Sequence, residues 1–190
     1  VADFSKTILL IPNLPNVELS YANRGNILFK HQHYEDAAAD FKKAVEINPQ
    51  SYLIYNKLAL CYLNLEIDSL AMACLDSSLS INPEFQETYF YKGVFFMQKH
   101  QDLKAIENFD KAISLKPDYA EAYSNRGIAL QKLSEFDAAI ASFDQAISLL
   151  PTNADLYFNK ANALKETEDL EGALSNFNKT LKLKTDLDYL

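Results

Sequence analysis

The chain contains no tryptophan, and glycine, cysteine and methionine are scarce, with 4, 2 and 2 copies among 190 residues. Gly25, Gly93, Gly127 and Gly172 lie too far apart to form a glycine-rich phosphate loop. Cys61 and Cys74 have neither metal-site nor redox-motif spacing, so they read as buried free thiols, a usage that fits a reducing compartment. No uninterrupted apolar run reaches the roughly 18 residues that a membrane span requires. Positive charge is also short. With 18 Lys and Arg against 26 Asp and Glu the net charge is −8, which disfavours nucleic acid, whose binding needs a basic face to displace counterions. Ser, His and Asp occur without a nucleophile motif around them. His31, His33 and Glu35 lack a third metal ligand at convincing spacing and read, with His100, as solvated turn residues. Neither catalysis nor a cofactor or metal is expected.

What the chain has in quantity is aromatic and small residues placed at a constant interval. Residues 120–153 space Tyr123, Gly127 and Leu130 along one helix face, break at Ser134-Glu135, and then space Ala139, Phe143, Ala146 and Ile147 along a second helix that Pro151 closes. The spacing predicts a helical hairpin. The pattern recurs every 34 residues. Prolines stand at Pro15, Pro49, Pro83, Pro117 and Pro151, and tyrosines at Tyr21, Tyr55, Tyr89, Tyr123 and Tyr157. A small column runs Gly25, Ala59, Gly93, Gly127, Ala161, and a second runs Ala37, Ala71, Ala105, Ala139, Ala173. Two more columns run Phe41, Leu75, Phe109, Phe143, Phe177 and Ala44, Ser78, Ala112, Ala146, Thr180. One hairpin cannot bury both of its apolar faces, so stacked copies are expected to share a core.

On these six columns the chain resembles the tetratricopeptide repeat family, with its 34-residue helix–turn–helix unit. The resemblance implies an all-α, right-handed superhelical solenoid of antiparallel helix pairs. Five units are expected at 18–51, 52–85, 86–119, 120–153 and 154–187, between a non-repeat segment at 1–17 and a remnant at 188–190. The apolar run at residues 7–11 is expected to cover the exposed end of the first repeat; a sharper alternative seats it in an array groove. The two small columns are expected to face each other, with the tyrosine and phenylalanine columns filling the space beside them. Asp118 with Glu121, and Thr152 with Asp155, have capping-box spacing.

In this family the first helices line the concave surface, so the resemblance also implies which residues meet a ligand. They are Asn23, Asn26, Asn56, Lys57, Leu60, Leu63, Phe90, Tyr91, Val94, Met97, Asn125, Asn159 and Asn162. A carboxylate clamp of the chaperone-tail type is rejected. Its places fall on Ala22, Asn26, Lys57, Glu87 and Tyr91, where only Asn26 fits and Glu87 has the wrong sign. Asn23, Asn125 and Asn159 resemble the ladder with which protein O-glycosyltransferase arrays grip peptide backbone, but Lys57 and Tyr91 interrupt it. An apolar stretch that includes Leu53, Leu60, Leu63 and Tyr91 fills that interruption, while Glu87, Glu121 and Asp155 edge it with negative charge suited to basic flanks. The expected function is a non-catalytic scaffold that binds a protein or peptide segment in the groove. The alternatives are a self-assembling homo-oligomer, joined through the N-terminal segment or the open fifth repeat, and the targeting module of a longer enzyme.

Overall fold

A computed structural model describes residues 17–187 of the chain, with side chains to 185. The expectations for residues 1–16 and 188–190 lie outside the described residues. Ten helices make up the described chain: α1 (Val17–Lys30), α2 (Tyr34–Ile47), α3 (Tyr52–Asn64), α4 (Asp68–Ile81), α5 (Gln86–Gln98), α6 (Asp102–Leu115), α7 (Ala120–Lys132), α8 (Phe136–Leu149), α9 (Ala154–Glu166) and α10 (Leu170–Leu187). They fall into two compact units, the first ending at Tyr91 and the second beginning at Lys92.

Each proline acts where the sequence places it. α2, α4, α6 and α8 stop two residues before Pro49, Pro83, Pro117 and Pro151. The intervening residues, Asn48, Asn82, Lys116 and Leu150, have ψ between 70° and 93°, as a following pyrrolidine ring demands. Asn48 and Asn82 then accept through Oδ1 from the amides of Gln50 and Glu84, closing the turn. The tyrosine column proves to be more than filler. Tyr89 and Tyr157 donate through their hydroxyls to the carbonyls of Pro83 and Pro151, six residues upstream, at 3.0 Å.

Within each hairpin the reversal carries a signature that composition conceals. Gln32, Glu66, His100, Ser134 and Glu168 all adopt φ between 56° and 63°, again at the 34-residue step. This left-handed residue follows the first helix, where glycine is the usual choice because it has no Cβ to clash. None of the five is glycine.

The packing sharpens one expectation: the phenylalanine column lies directly against the glycine column. A Cβ on Gly25, Gly93 or Gly127 would lie 3.0, 2.5 or 2.6 Å from the ring of Phe41, Phe109 or Phe143. Glycine therefore admits an aromatic ring against the helix backbone, and those three rings are fully buried. In the second hairpin Ala59 replaces glycine and Leu75 replaces the ring, also fully buried. The fifth keeps Phe177 opposite Ala161, and that ring stays only half-buried, edge-on to Phe158 at 5.8 Å. The capping boxes are corrected. The cap of α7 is Tyr119, which makes no side-chain cap bond, and the cap of α9 is Asn153, whose Oδ1 accepts from the Asp155 amide.

In the first unit Phe41, Leu58, Ala59, Cys61, Cys74 and Leu75 belong to one buried cluster. Arg24 grips the buried Asp40 through two hydrogen bonds of 2.7 and 2.6 Å. In the second unit Leu130, Ala139, Phe143 and Ala163 form a cluster. There Arg126 reaches back to Asp110 at 2.9 Å and Lys160 to Asp144 at 2.6 Å, tying a first helix to the second helix of the preceding hairpin.

Candidate functional site

The first unit contains a hollow of about 140 Å³ lined by Leu53, Asn56, Lys57, Leu60, Phe85, Glu87 and Tyr91. Helical spacing builds it. Leu53, Asn56, Lys57 and Leu60 are three and four residues apart and share one face of α3, while Glu87 and Tyr91 are one turn apart on α5. Phe85, just ahead of α5, packs edge-on to Tyr52 at 4.8 Å.

A buried polar chain stands behind the hollow. Thr88 donates to Asn56 Oδ1 at 2.9 Å, and the Thr88 and Ser78 hydroxyls meet at 2.9 Å. Ser78 also reaches the Tyr52 carbonyl at 3.1 Å. Asn56 is only 3% exposed, and its amide is held by its carbonyl end. Among the described residues its Nδ2 and Glu87 Oε2, both sealed from solvent, have no hydrogen-bond partner. Leaving such groups unpaired costs about 1–3 kcal/mol each. Burial pushes the Tyr91 phenol up, with a smaller contribution from the Glu87 charge. Leu53, Leu60, Phe85 and Tyr91 give the hollow apolar walls, with Lys57 and Glu87 beside them.

Four of the thirteen residues expected to meet a ligand, Asn56, Lys57, Leu60 and Tyr91, come together here. Leu63 and Phe90 are half-buried in the same unit, with Phe90 edge-on to Tyr91 at 5.5 Å, but neither lines the hollow. Asn23 and Asn26 are exposed on α1. Val94, Met97, Asn125, Asn159 and Asn162 are half-buried in the second unit, where Gln131 donates to the Asn159 backbone carbonyl at 3.2 Å. The expected set omitted Phe85, which stands where the preceding repeat places Ser51 and the following one Tyr119. It also omitted the polar chain, signalled by Ser78 in an alanine column and by Thr88 among Ile54, Ala122 and Leu156.

Another hollow, in the second unit, is lined by His100, Gln101, Asp102, Leu103, Lys104 and Leu133 at a hairpin turn. Its buried Asp102 Oδ1 makes no hydrogen bond among the described residues and has Lys132 at 3.6 Å. Among the described residues no cluster of His, Cys, Asp and Glu could hold a metal ion, and no helix is long and apolar enough to cross a membrane.

Paired helices, a proline-closed 34-residue unit and an open hollow on a first-helix face define a helical-repeat protein of the solenoid class. The chain belongs to the tetratricopeptide repeat family, a family of protein-interaction scaffolds. Tetratricopeptide repeat profiles match residues 19–51, 120–153 and 142–175, and a related TPR repeat profile matches 96–134. No curated protein matches the chain by sequence. Among solved structures, MamA from Desulfovibrio magneticus RS-1 is 18% identical with a TM-score of 0.80, covering 92% of this chain and 98% of that one. YrrB, described as "a TPR protein with an unusual peptide-binding site", is 23% identical with a TM-score of 0.70, covering 96% and 93%. Pseudomonas aeruginosa PilF is 17% identical with a TM-score of 0.81, covering 87% and 75%. At these identities the likeness concerns the fold.

Proposed function

We propose that the chain is a scaffold without catalysis of its own, and that it binds a segment of another protein across the first-helix face of its second and third repeats. The hollow between α3 and α5 anchors that segment. The observation that carries this reading is the open hollow itself, with Leu53, Leu60, Phe85 and Tyr91 around it. YrrB, of similar fold, carries a peptide site by its own description, which lends the reading support. Asn23 and Asn26, in the same unit as the hollow, serve in this reading as further holds on backbone, since an amide both donates and accepts. Selection of a random displayed peptide library on the whole chain tests it. Enriched peptides should bind a Leu60→Asp variant at least tenfold more weakly, with helicity unchanged. Equal binding to that variant overturns the assignment.

A second reading, self-association, is favoured by the outer face of α10. Leu170, Leu174 and Leu181 are 65, 62 and 64% exposed, whereas Ile140 and Ile147, one repeat earlier than Leu174 and Leu181, are half-buried. Light scattering of a Leu174→Lys/Leu181→Lys variant should show a monomer where the parent chain associates. A parent chain that is monomeric at all concentrations excludes it.

A further inference from the structure

We infer that the outer face of α10 pairs with the same face of a second copy, the two helices running antiparallel about a two-fold axis near Phe177 and Asn178. The inference rests on the self-association reading above and names its geometry. Leu170, Leu174, Phe177 and Leu181 are spaced 4, 3 and 4 residues apart, which gathers them into one stripe along the helix. That spacing is the seam of a two-helix contact, so a helix fits it better than an extended strand. Phe158 of α9, 46% exposed and edge-on to Phe177 at 5.8 Å, widens the stripe. One repeat earlier the equivalent stripe lies on α8, where Phe143 is fully buried and clusters with Ala163 of α9.

Charge identifies the occupant as a second copy. Glu171 and Lys182 are eleven residues apart, close to three full turns, so both flank the stripe on the same side. In an antiparallel pair of α10 helices each Glu171 stands opposite the Lys182 of the second copy, giving two ion pairs related by symmetry. In a parallel pair Glu171 would stand against Glu171 and Lys182 against Lys182, and like charges repel. Both side chains are exposed, and neither makes an ion pair among the described residues. Lys179, by contrast, lies over the Tyr157 ring, and Lys184 is 3.2 Å from Asp155. The helix macrodipole favours these signs at these ends, but it does not set them on one side of an apolar stripe. Lys182 is also peculiar to this helix. The same place in α4, α6 and α8 holds Ser80, Ser114 and Ser148, each donating to a carbonyl of its own helix three residues back. The change from serine to lysine falls on the helix whose outer leucines are exposed. A contact of this symmetry closes at two copies.

Sedimentation equilibrium of the whole chain at low ionic strength tests the inference. The parent chain is expected to form a dimer and nothing larger. Glu171→Lys and Lys182→Glu should each weaken that dimer roughly tenfold, and the double variant should return it to within roughly threefold of the parent. Cross-linking with a short bis-maleimide reads the direction of the helices, since the native Cys61 and Cys74 are buried. Glu171→Cys mixed with Lys182→Cys should give cross-linked dimers, and Glu171→Cys alone should not. A dimer lost in the Leu174→Lys/Leu181→Lys variant but indifferent to both charge reversals overturns the antiparallel pairing, yet leaves self-association through α10 standing. Cross-linking of Glu171→Cys with itself, or growth beyond two copies, overturns it in the same way. A monomer at all concentrations, or a dimer that survives the double leucine variant, removes the pairing and the self-association reading together.

Discussion

Gly127 shows how much a single position decides. Its Cα lies against the Phe143 ring so closely that an added methyl would meet ring carbons at 2.6 Å. Gly127→Ala should therefore destabilise the chain by about 1–3 kcal/mol, the usual cost of overpacking a filled core. The second hairpin already holds the remedy, because its Ala59 faces Leu75 and leaves that side chain fully buried. Adding Phe143→Leu to Gly127→Ala should recover part of the loss, and denaturant midpoints of the two single variants and the double variant would measure the coupling. Strict additivity would show that the two side chains are not in contact. The glycine and phenylalanine columns were each legible in the sequence. Their partnership was not, because periodicity shows which residues share a helix face but not which residue of the facing helix fills the gap.

At the scale of the element, the hairpin reversals were legible as polar breaks but their backbone geometry was hidden. A left-handed residue is normally betrayed by glycine or asparagine, and here the five positions hold Gln, Glu, His, Ser and Glu. Each carries a steric cost that glycine would avoid. Ser134→Gly should raise stability by about 0.5–1 kcal/mol after allowing for glycine's extra freedom in the unfolded chain, seen as a higher denaturant midpoint. A lower midpoint would mean that the serine makes a compensating contact. Helix ends were read well where proline set them and poorly where side-chain caps were expected. Tyr119 and Glu135 cap helices without a side-chain bond because stacking, rather than capping, holds these helices in place.

Across the whole molecule, the repeat made the fold legible from sequence alone, since the columns recur too often for any other architecture. The candidate site was legible only in part. Leu60 and Tyr91 were identified because apolar residues stand where an open first-helix face is expected, whereas Asn56 was expected to be one amide among many. Its special standing comes from a third dimension, with Thr88 and Ser78 behind it, residues 32 and 22 positions away. Burial of Cys61 and Cys74 likewise depends on the assembled core. Desolvation pushes their thiols up to about 12 and about 11, so both stay protonated and shielded in the native chain. At pH 8 a thiol-specific reagent should label neither cysteine in the native chain and both in denaturant. Rapid labelling without denaturant would show that the first unit opens readily.

The central claim is that a partner is anchored in the hollow between α3 and α5. Backbone amide shifts across the whole chain, followed during titration with a library-selected peptide, test it most directly. The account predicts the largest changes at Leu53, Asn56, Lys57, Leu60 and Tyr91, all of which line that hollow. Changes confined to the outer face of α10 or to the second unit, with those five residues unmoved, would contradict it.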